Sequence, residues 1–79
     1  MTCRVKQLVL DTQEVRVHGT FQTEGEARMC LAQTLDEAFG ALELDAATAR
    51  QKIEDAIHDG FLHFRENGRV TRWYMIERN

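Results

Sequence analysis

A chain of 79 residues with a net charge of −3 has room for one small domain, 1–79, and none for a second domain with a separate activity. Its 43% hydrophobic and 29% charged residues are typical of a folded globular protein and not of a disordered tail. No apolar run approaches the length of a membrane span and no signal-peptide pattern opens the chain, so the sequence predicts a cytoplasmic protein without membrane contact.

The charge is unevenly distributed along the chain. Residues 24–60 hold nine acidic and three basic residues, a net charge of −6, whereas residues 1–23 and 61–79 carry net charges of +1 and +2. An acidic middle of this kind suits a partner with a basic surface.

The first segment, residues 5–21, is predicted to form two strands around a polar turn at Asp11–Glu14. If Asp11 lies opposite Glu14, the hairpin has one apolar and one mostly polar face. The apolar face holds Leu8, Leu10, Val15 and Val17, and the other face holds Gln7, Val9, Arg16 and His18. Because this alternation is typical of a sheet covered on one side, we expect the apolar face to pack against the helices.

Two helices are predicted next. Thr23 and Glu26 fit a capping box, and the first helix is expected to run to about Phe39, with Gly40 as its stop. The second helix is expected to be capped by Asp45 and closed by Gly60. Apolar residues recur at helical spacing at Ala27, Leu31, Leu35, Ala38 and Leu42, and then at Ala49, Ile53, Ala56 and Ile57.

The dipeptide Asn67-Gly68 predicts a final hairpin with a two-residue turn. Strict alternation from this turn places Leu62 opposite Trp73 and assigns each side chain to a face. The predicted core face holds Leu62, Phe64, Trp73 and Met75, and the predicted exposed face holds Phe61, His63, Arg65, Val70, Arg72 and Tyr74. The chain is therefore expected to be an α+β domain of order ββ-α-α-ββ, with two helices packed on one face of antiparallel hairpins.

Patterns typical of catalysis or of metal binding are weak. The two cysteines and three histidines show no metal-ligand spacing, the chain has no serine, and its five glycines form no phosphate loop. Cys3 and Cys30 are expected to be free thiols. The sequence thus predicts a protein that is not an enzyme, with no catalytic residue, no metal and no cofactor.

One stretch resembles a known family. Within residues 31–76, "ATARQKIEDAIHDG", "FLHF", "ENG" and "RVTRWYM" follow the order of recognition helix, strand, wing tip and strand in winged-helix proteins. The resemblance implies a nucleic-acid-binding regulator whose wing would offer Arg65, Arg69 and Arg72 to phosphates. The residues that it would place near the bases in the major groove are Thr48, Arg50, Gln51 and Lys52.

The leading interpretation is a small non-enzymatic interaction or regulatory module that binds a protein partner or its own copy, and nucleic-acid binding is the alternative. Aromatic residues and arginine are enriched at protein interfaces. The predicted partner-binding residues are accordingly Phe61, His63, Arg65, Arg72 and Tyr74. In a homodimer, the exposed faces of the two hairpins would meet across a twofold axis through Val5, Val9, His18, Phe61, Val70 and Tyr74, with Arg65 and Arg72 at the rim.

Overall fold

The structure, a computed structural model, describes residues 2–42 and 44–79. The described residues form strands and helices in the order β1 (Cys3–Val9), β2 (Glu14–Phe21), α1 (Glu24–Gly40), α2 (Ala46–Asp59), β3 (Phe61–Glu66) and β4 (Arg69–Arg78). The strands make one antiparallel sheet of order β2-β1-β4-β3, in which the first and last strands are the central pair. Both helices pack on the same side of this sheet. The predicted α+β class and element order are confirmed.

Helix α1 begins at the predicted capping box. The Thr23 hydroxyl oxygen accepts a hydrogen bond from the Glu26 amide at 3.3 Å, and the hydroxyl donates to the Glu26 carboxylate at 2.9 Å. The last residue of the helix is Gly40, one residue later than expected. Its buried stripe is Ala27, Leu31, Leu35 and Phe39.

Helix α2 has both predicted caps. The Asp45 carboxylate accepts from the Thr48 amide at 3.0 Å, which satisfies one of the unpaired donors of the first turn. Gly60 closes the helix in the left-handed conformation with φ at 83°, where a side chain would be strained. The Gly60 amide donates to the Ala56 carbonyl at 2.7 Å.

The core lies between the stripe of α1 and the side of the sheet that faces the helices, here called the inner face. The buried inner-face residues are Cys3, Val5, Gln7, Phe64 and Tyr74. Phe64 also packs on Phe39, with 5.2 Å between the ring centroids, which holds the end of α1 against β3. Full burial of such a side chain contributes about 1.5–3 kcal/mol, which is a large fraction of the net stability of a small domain.

The first hairpin presents Leu8, Val15 and Val17 to the opposite side of the sheet, here called the outer face. Its turn spans residues 10–13, so Val9 pairs with Glu14 and Leu8 with Val15. The predicted grouping of Leu8 with Val15 and Val17 is right, but the prediction that this group packs against the helices is wrong. The odd-numbered residues of β1 include the apolar Cys3 and Val5, and the helix-covered side of the sheet buries these instead. Val5, expected to be exposed, is fully buried.

The second hairpin contains a β-bulge that the alternation did not predict. Glu66 pairs with Arg69 as expected, but Phe64 pairs with Arg72, so that Thr71 is an extra residue on β4. One extra residue moves every following side chain to the other face. The expectation that Trp73 lies in the core is therefore wrong, and the buried residue is Tyr74.

Candidate functional site

The outer face carries two rows of side chains that run across all four strands. Paired residues stand opposite each other at each step of the ladder, so a row can be read from the register. From β2 to β3, the first row is Val15, Leu8, Trp73 and His63, and the second row is Val17, Lys6, Met75 and Phe61. Six of these eight residues are apolar.

Several large apolar side chains of the outer face are exposed. The exposed fractions are 56% for Val15, 51% for Val17, 49% for Phe61 and 38% for Trp73. An antiparallel sheet with one solvated face normally has polar residues on that face. Contiguous exposed apolar residues are instead typical of interaction surfaces. The outer face is therefore the strongest candidate site in the described part of the chain.

The half of the outer face formed by β3 and β4 is aromatic and ordered by ring contacts. The His63 imidazole stacks on the Trp73 indole, with centroids 5.1 Å apart and ring planes 29° apart. Phe61 packs on His63 at 5.6 Å. The rings thus form a continuous surface, and their mutual contacts restrict the rotamers that binding would have to fix.

Three charged residues of the outer face, Arg4, Lys6 and Glu77, are paired with one another. Lys6 Nζ lies 2.9 Å from Glu77 Oε2, and Arg4 Nη2 lies 2.8 Å from Glu77 Oε1. The hydrogen bond from Lys6, aided by Arg4, holds the pKa of the Glu77 carboxyl below its usual range. Two cations and one carboxylate leave this corner with only one net positive charge.

A polar network occupies the inner face beyond the core. Arg72 donates to the Tyr74 hydroxyl at 3.1 Å and to the Glu66 carboxylate at 2.9 Å, and its guanidinium carbon lies 4.1 Å from the Phe64 ring centroid. The His18 Nε2–H donates to Gln7 Oε1 at 2.6 Å. Burial raises the pKa of the Tyr74 phenol, an effect that Arg72 partly offsets.

The predicted partner-binding residues are divided between the two faces. Phe61 and His63 lie on the outer face, as predicted, and Arg65 is an exposed residue of the edge strand β3. Arg72 and Tyr74 lie on the inner face, and Tyr74 is only 2% exposed. Their predicted exposure is wrong, because the bulge at Thr71 inverts the alternation of β4. Arg72 contacts Glu66 and Tyr74 of its own chain and is not at the rim of the exposed face.

The sequence prediction missed the residues that contribute most to the outer face. Leu8, Val15, Val17, Trp73 and Met75 were all assigned to the core. One signal was present, because β4 reads VTRWYMI, in which apolar residues occur on both faces. Alternation alone assumes that only one face is apolar, so it could not reveal a second one.

The helix residues of the nucleic-acid alternative are exposed, as are Arg65 and Arg69 of its wing, whereas Arg72 is half-buried on the inner face. Thr48, Arg50, Gln51 and Lys52 lie on the first turns of α2, and Arg69 follows the turn of the second hairpin. Two of them bond locally: the Thr48 hydroxyl donates to Asp45 at 3.1 Å, and the Gln51 amide donates to Asp55 at 3.0 Å. Arg69 lies 3.5 Å from Asp11.

An open cleft of about 370 Å³ lies between the end of α1 and the start of α2. Its floor is apolar, and the charged residues at its edge are Asp36, Arg50 and Glu54. Among the described residues, no group of three or more histidine, cysteine or acidic side chains is placed to hold a metal ion.

No protein-family model matches the sequence, and comparisons with curated proteins and with solved structures give no significant match. Neither α1 nor α2, the two described helices, combines the length and the apolar character that crossing a bilayer requires.

Proposed function

We propose that this protein is a small, non-enzymatic interaction module that binds another protein, or its own copy, through the outer face of its sheet. The observation that carries the proposal is the two-row apolar surface centred on Leu8 and Trp73, which no part of the described chain covers. Leaving such a surface in water costs about 25 cal/mol for each Å² of apolar area, and a bound partner removes that cost.

The composition of the outer face favours a protein as the partner. Tryptophan is among the side chains that most often contribute binding energy at protein interfaces, and phenylalanine and methionine are enriched there. Glu77 already neutralises part of the charge of Arg4 and Lys6, which reduces the attraction that a phosphate backbone would feel. The net charge of −3 acts in the same direction.

A nucleic-acid-binding regulator is the second candidate function. It is supported by Arg69 and by four residues of α2 that are all exposed: Thr48, Arg50, Gln51 and Lys52. Glu54 and Asp55 lie on the next turn of the same helix, so this part of α2 carries charges of both signs.

We infer a cytoplasmic location from the state of the cysteines. Cys3 is buried and Cys30 is half-buried, and both are free thiols. Structural disulfides are common in oxidising compartments and rare in the cytosol, so two unpaired thiols suit the reducing compartment.

The test of the proposal is affinity capture with a matched pair of variants. The immobilised protein is incubated with an extract of its source organism, to which an untagged second copy has been added, and half of the sample receives nuclease. The outer-face variant is Val15→Glu with Phe61→Glu, since both side chains are about half exposed. The control is Met29→Glu with Gln33→Glu, which adds the same charge on the exposed surface of helix α1.

We expect the wild type and the helix control to retain the same proteins, either a partner or the added copy, with and without nuclease. The outer-face variant should lose them. Retention that is unchanged in the outer-face variant, or no retention of any protein by the wild type, would overturn the proposal. Retention that disappears with nuclease would favour the nucleic-acid candidate instead.

A further inference from the structure

We propose that the occupant of the outer face is a second copy of this chain, packed face to face about a twofold axis that runs parallel to the strands. This inference rests on the proposed function and names its partner. The resulting dimer would have four layers, helices–sheet–sheet–helices, with the two outer faces forming a shared apolar core about 10 Å thick.

The two halves of the outer face differ in the shape of their side chains. The β1–β2 half is aliphatic, with Val15, Leu8, Val17 and the methylene stem of Lys6. The β3–β4 half is larger and mostly aromatic, with Trp73, His63, Met75 and Phe61. A surface with small side chains on one half and large ones on the other fits a surface with the opposite order.

A twofold axis parallel to the strands produces that opposite order. The axis lies midway between the two sheets, above the line that separates β1 from β4. It exchanges left for right, so β1 lies on β4 of the second copy and β2 lies on β3. The rotation does not change a residue's height along the strands. Each row of one copy therefore lies on the same row of the second copy, with the order of its residues reversed. Leu8 then faces Trp73 of the second copy, and Val17 faces Phe61. An axis perpendicular to the strands would instead set rings against rings and aliphatic residues against aliphatic residues.

The charges of the face are compatible with this pairing. Lys6 is the one charged residue within the two rows, and its ammonium is held by Glu77 at 2.9 Å. Its stem would lie over Met75 of the second copy, and long side chains commonly bury their stems while the charged end stays at the rim. A strongly acidic or basic partner would find little unpaired charge to recognise in these rows.

The size of the face sets the expected strength of the dimer. Four strands spaced about 4.8 Å apart and seven residues of β1 rising about 3.4 Å each give a face of roughly 19 by 24 Å. That is roughly 460 Å² on each copy, below the about 600–1,000 Å² that stable interfaces bury on each partner and in the range of weak, reversible complexes. We expect a dissociation constant in the micromolar range.

The test uses complementary charges at the predicted Val17–Phe61 contact. Within one chain these residues stand on opposite edges of the sheet, three strand spacings or about 14 Å apart, so they do not touch each other. The variants are Val17→Glu, Phe61→Lys and the two together. Gln33→Glu and Gln33→Lys on α1 are the charge controls, and circular dichroism checks that each variant is folded.

Sedimentation equilibrium from about 1 to about 500 µM should show a monomer–dimer equilibrium for the wild type and both controls. Each single variant should raise the dimer Kd by at least about tenfold, because it buries an unpaired charge against an apolar side chain. The double variant should recover most of that loss, since each glutamate then meets a lysine of the second copy. Val17→Thr, which keeps the branched shape, should weaken the dimer mildly and serves if Val17→Glu fails to fold.

Three results would overturn the inference. A wild type that is monomeric over the whole range excludes the homodimer, and single variants that leave the Kd unchanged exclude this face. A double variant as weak as the single variants excludes the axis parallel to the strands. The proposed function would survive a monomeric wild type if capture of another protein still depended on Val15 and Phe61, so the two failures can be told apart.

Discussion

Leu8 stands directly opposite Trp73 across the central strand pair, on the side of the sheet that the helices do not cover. Gln7 and Tyr74, their sequence neighbours, form the equivalent pair on the inner face and are both buried. Each central strand therefore presents substantial side chains to both sides of the sheet. A sheet with apolar residues on both faces is normally covered on both faces, and here the helices cover one.

The first prediction compares Trp73 with Phe64. Phe64→Ala should reduce the free energy of unfolding by about 3–5 kcal/mol, because it opens a cavity between Phe39 and Tyr74. Trp73→Ala should cost clearly less at low protein concentration, where a self-associated form is not populated, since the indole is 38% exposed. Urea unfolding followed by circular dichroism measures both. Equal costs would mean that the indole belongs to the core.

The second prediction concerns Tyr74, the one tyrosine in the chain. Burial raises the pKa of its phenol in the folded state, whereas the unfolded phenol titrates near about 10. A raised folded-state pKa gives stability that is complete below the unfolded pKa and is lost as the pH rises through the folded one. We expect the melting temperature to fall above about pH 10.

Tyrosinate absorbance and circular dichroism, recorded together, check this prediction. Ionisation should coincide with loss of structure. Tyr74→Phe keeps the ring and removes the titrating group, so its melting temperature should fall less steeply with pH above about pH 10. A phenol that titrates freely in a fully folded protein would contradict the buried position of Tyr74.

The third prediction compares two glycines that differ in the space around them. A Cβ on Gly19 would lie 2.6 Å from Phe21 Cζ, whereas a Cβ on Gly25 would meet nothing within 4 Å. Gly19→Ala should therefore destabilise the protein by roughly 1–3 kcal/mol through overpacking. Gly25→Ala, in the first turn of α1, should stabilise it by about 0.4–1 kcal/mol. Thermal melts of the two variants measure both changes in stability. A stabilising Gly19→Ala would contradict the packing of β2.

Local signals in the sequence were sufficient to predict the elements. The caps at Thr23 and Asp45, the left-handed stop at Gly60 and the turn at Asn67-Gly68 were each predicted from a short motif, and each is present. These features depend on neighbouring residues alone. Each is determined by a hydrogen bond to a nearby amide or by a residue that tolerates a positive φ, so it can be predicted from a few consecutive residues.

The assignment of faces could not be predicted, because it depends on contacts between distant segments. The bulge at Thr71 is a single extra residue whose hydroxyl donates to Glu66 at 3.0 Å, and nothing in the local sequence demands it. In β1 each face has apolar residues, Cys3 and Val5 on one and Leu8 on the other, and the inner face is the one that joins Ala27 and Leu31 of α1 in the core. The candidate site was mispredicted for the same reason, since its largest residue, Trp73, was assigned to the core.

The fourth prediction concerns duplex DNA. Phosphate contacts require unopposed positive charge, and the affinity they supply falls steeply with salt. Because acidic residues accompany Arg50 on α2, we expect no retention of the protein on immobilised duplex DNA, even at low salt. Retention that weakens with salt and is reduced by both Arg50→Ala and Arg69→Ala would instead support the nucleic-acid alternative.

The last prediction concerns Glu77 and the charge of the outer face. Glu77→Gln removes the carboxylate shared by Lys6 and Arg4, so two cations would remain near the shared core of the proposed dimer. Self-association should weaken at low salt, where like charges on the two copies repel, and should recover as salt screens them over a Debye length of about 10 Å at 0.1 M. The fold itself should be affected only modestly, because these half-buried ion pairs are still partly screened by solvent.

The same carboxylate gives the dimer a pH dependence. The pKa of Glu77 is lowered, by the bond from Lys6 first and by Arg4 next, so the charge persists below the unfolded carboxyl's range near about 4.3. As the pH falls through this lowered pKa, protonation of Glu77 leaves Lys6 and Arg4 unopposed beside the shared core, so that the two copies repel. Acid should thus weaken the wild-type dimer only below about pH 4.3, while Glu77→Gln should lack this step. Sedimentation at graded pH measures both, and a dimer indifferent to Glu77→Gln at every salt concentration would place this corner outside the interface.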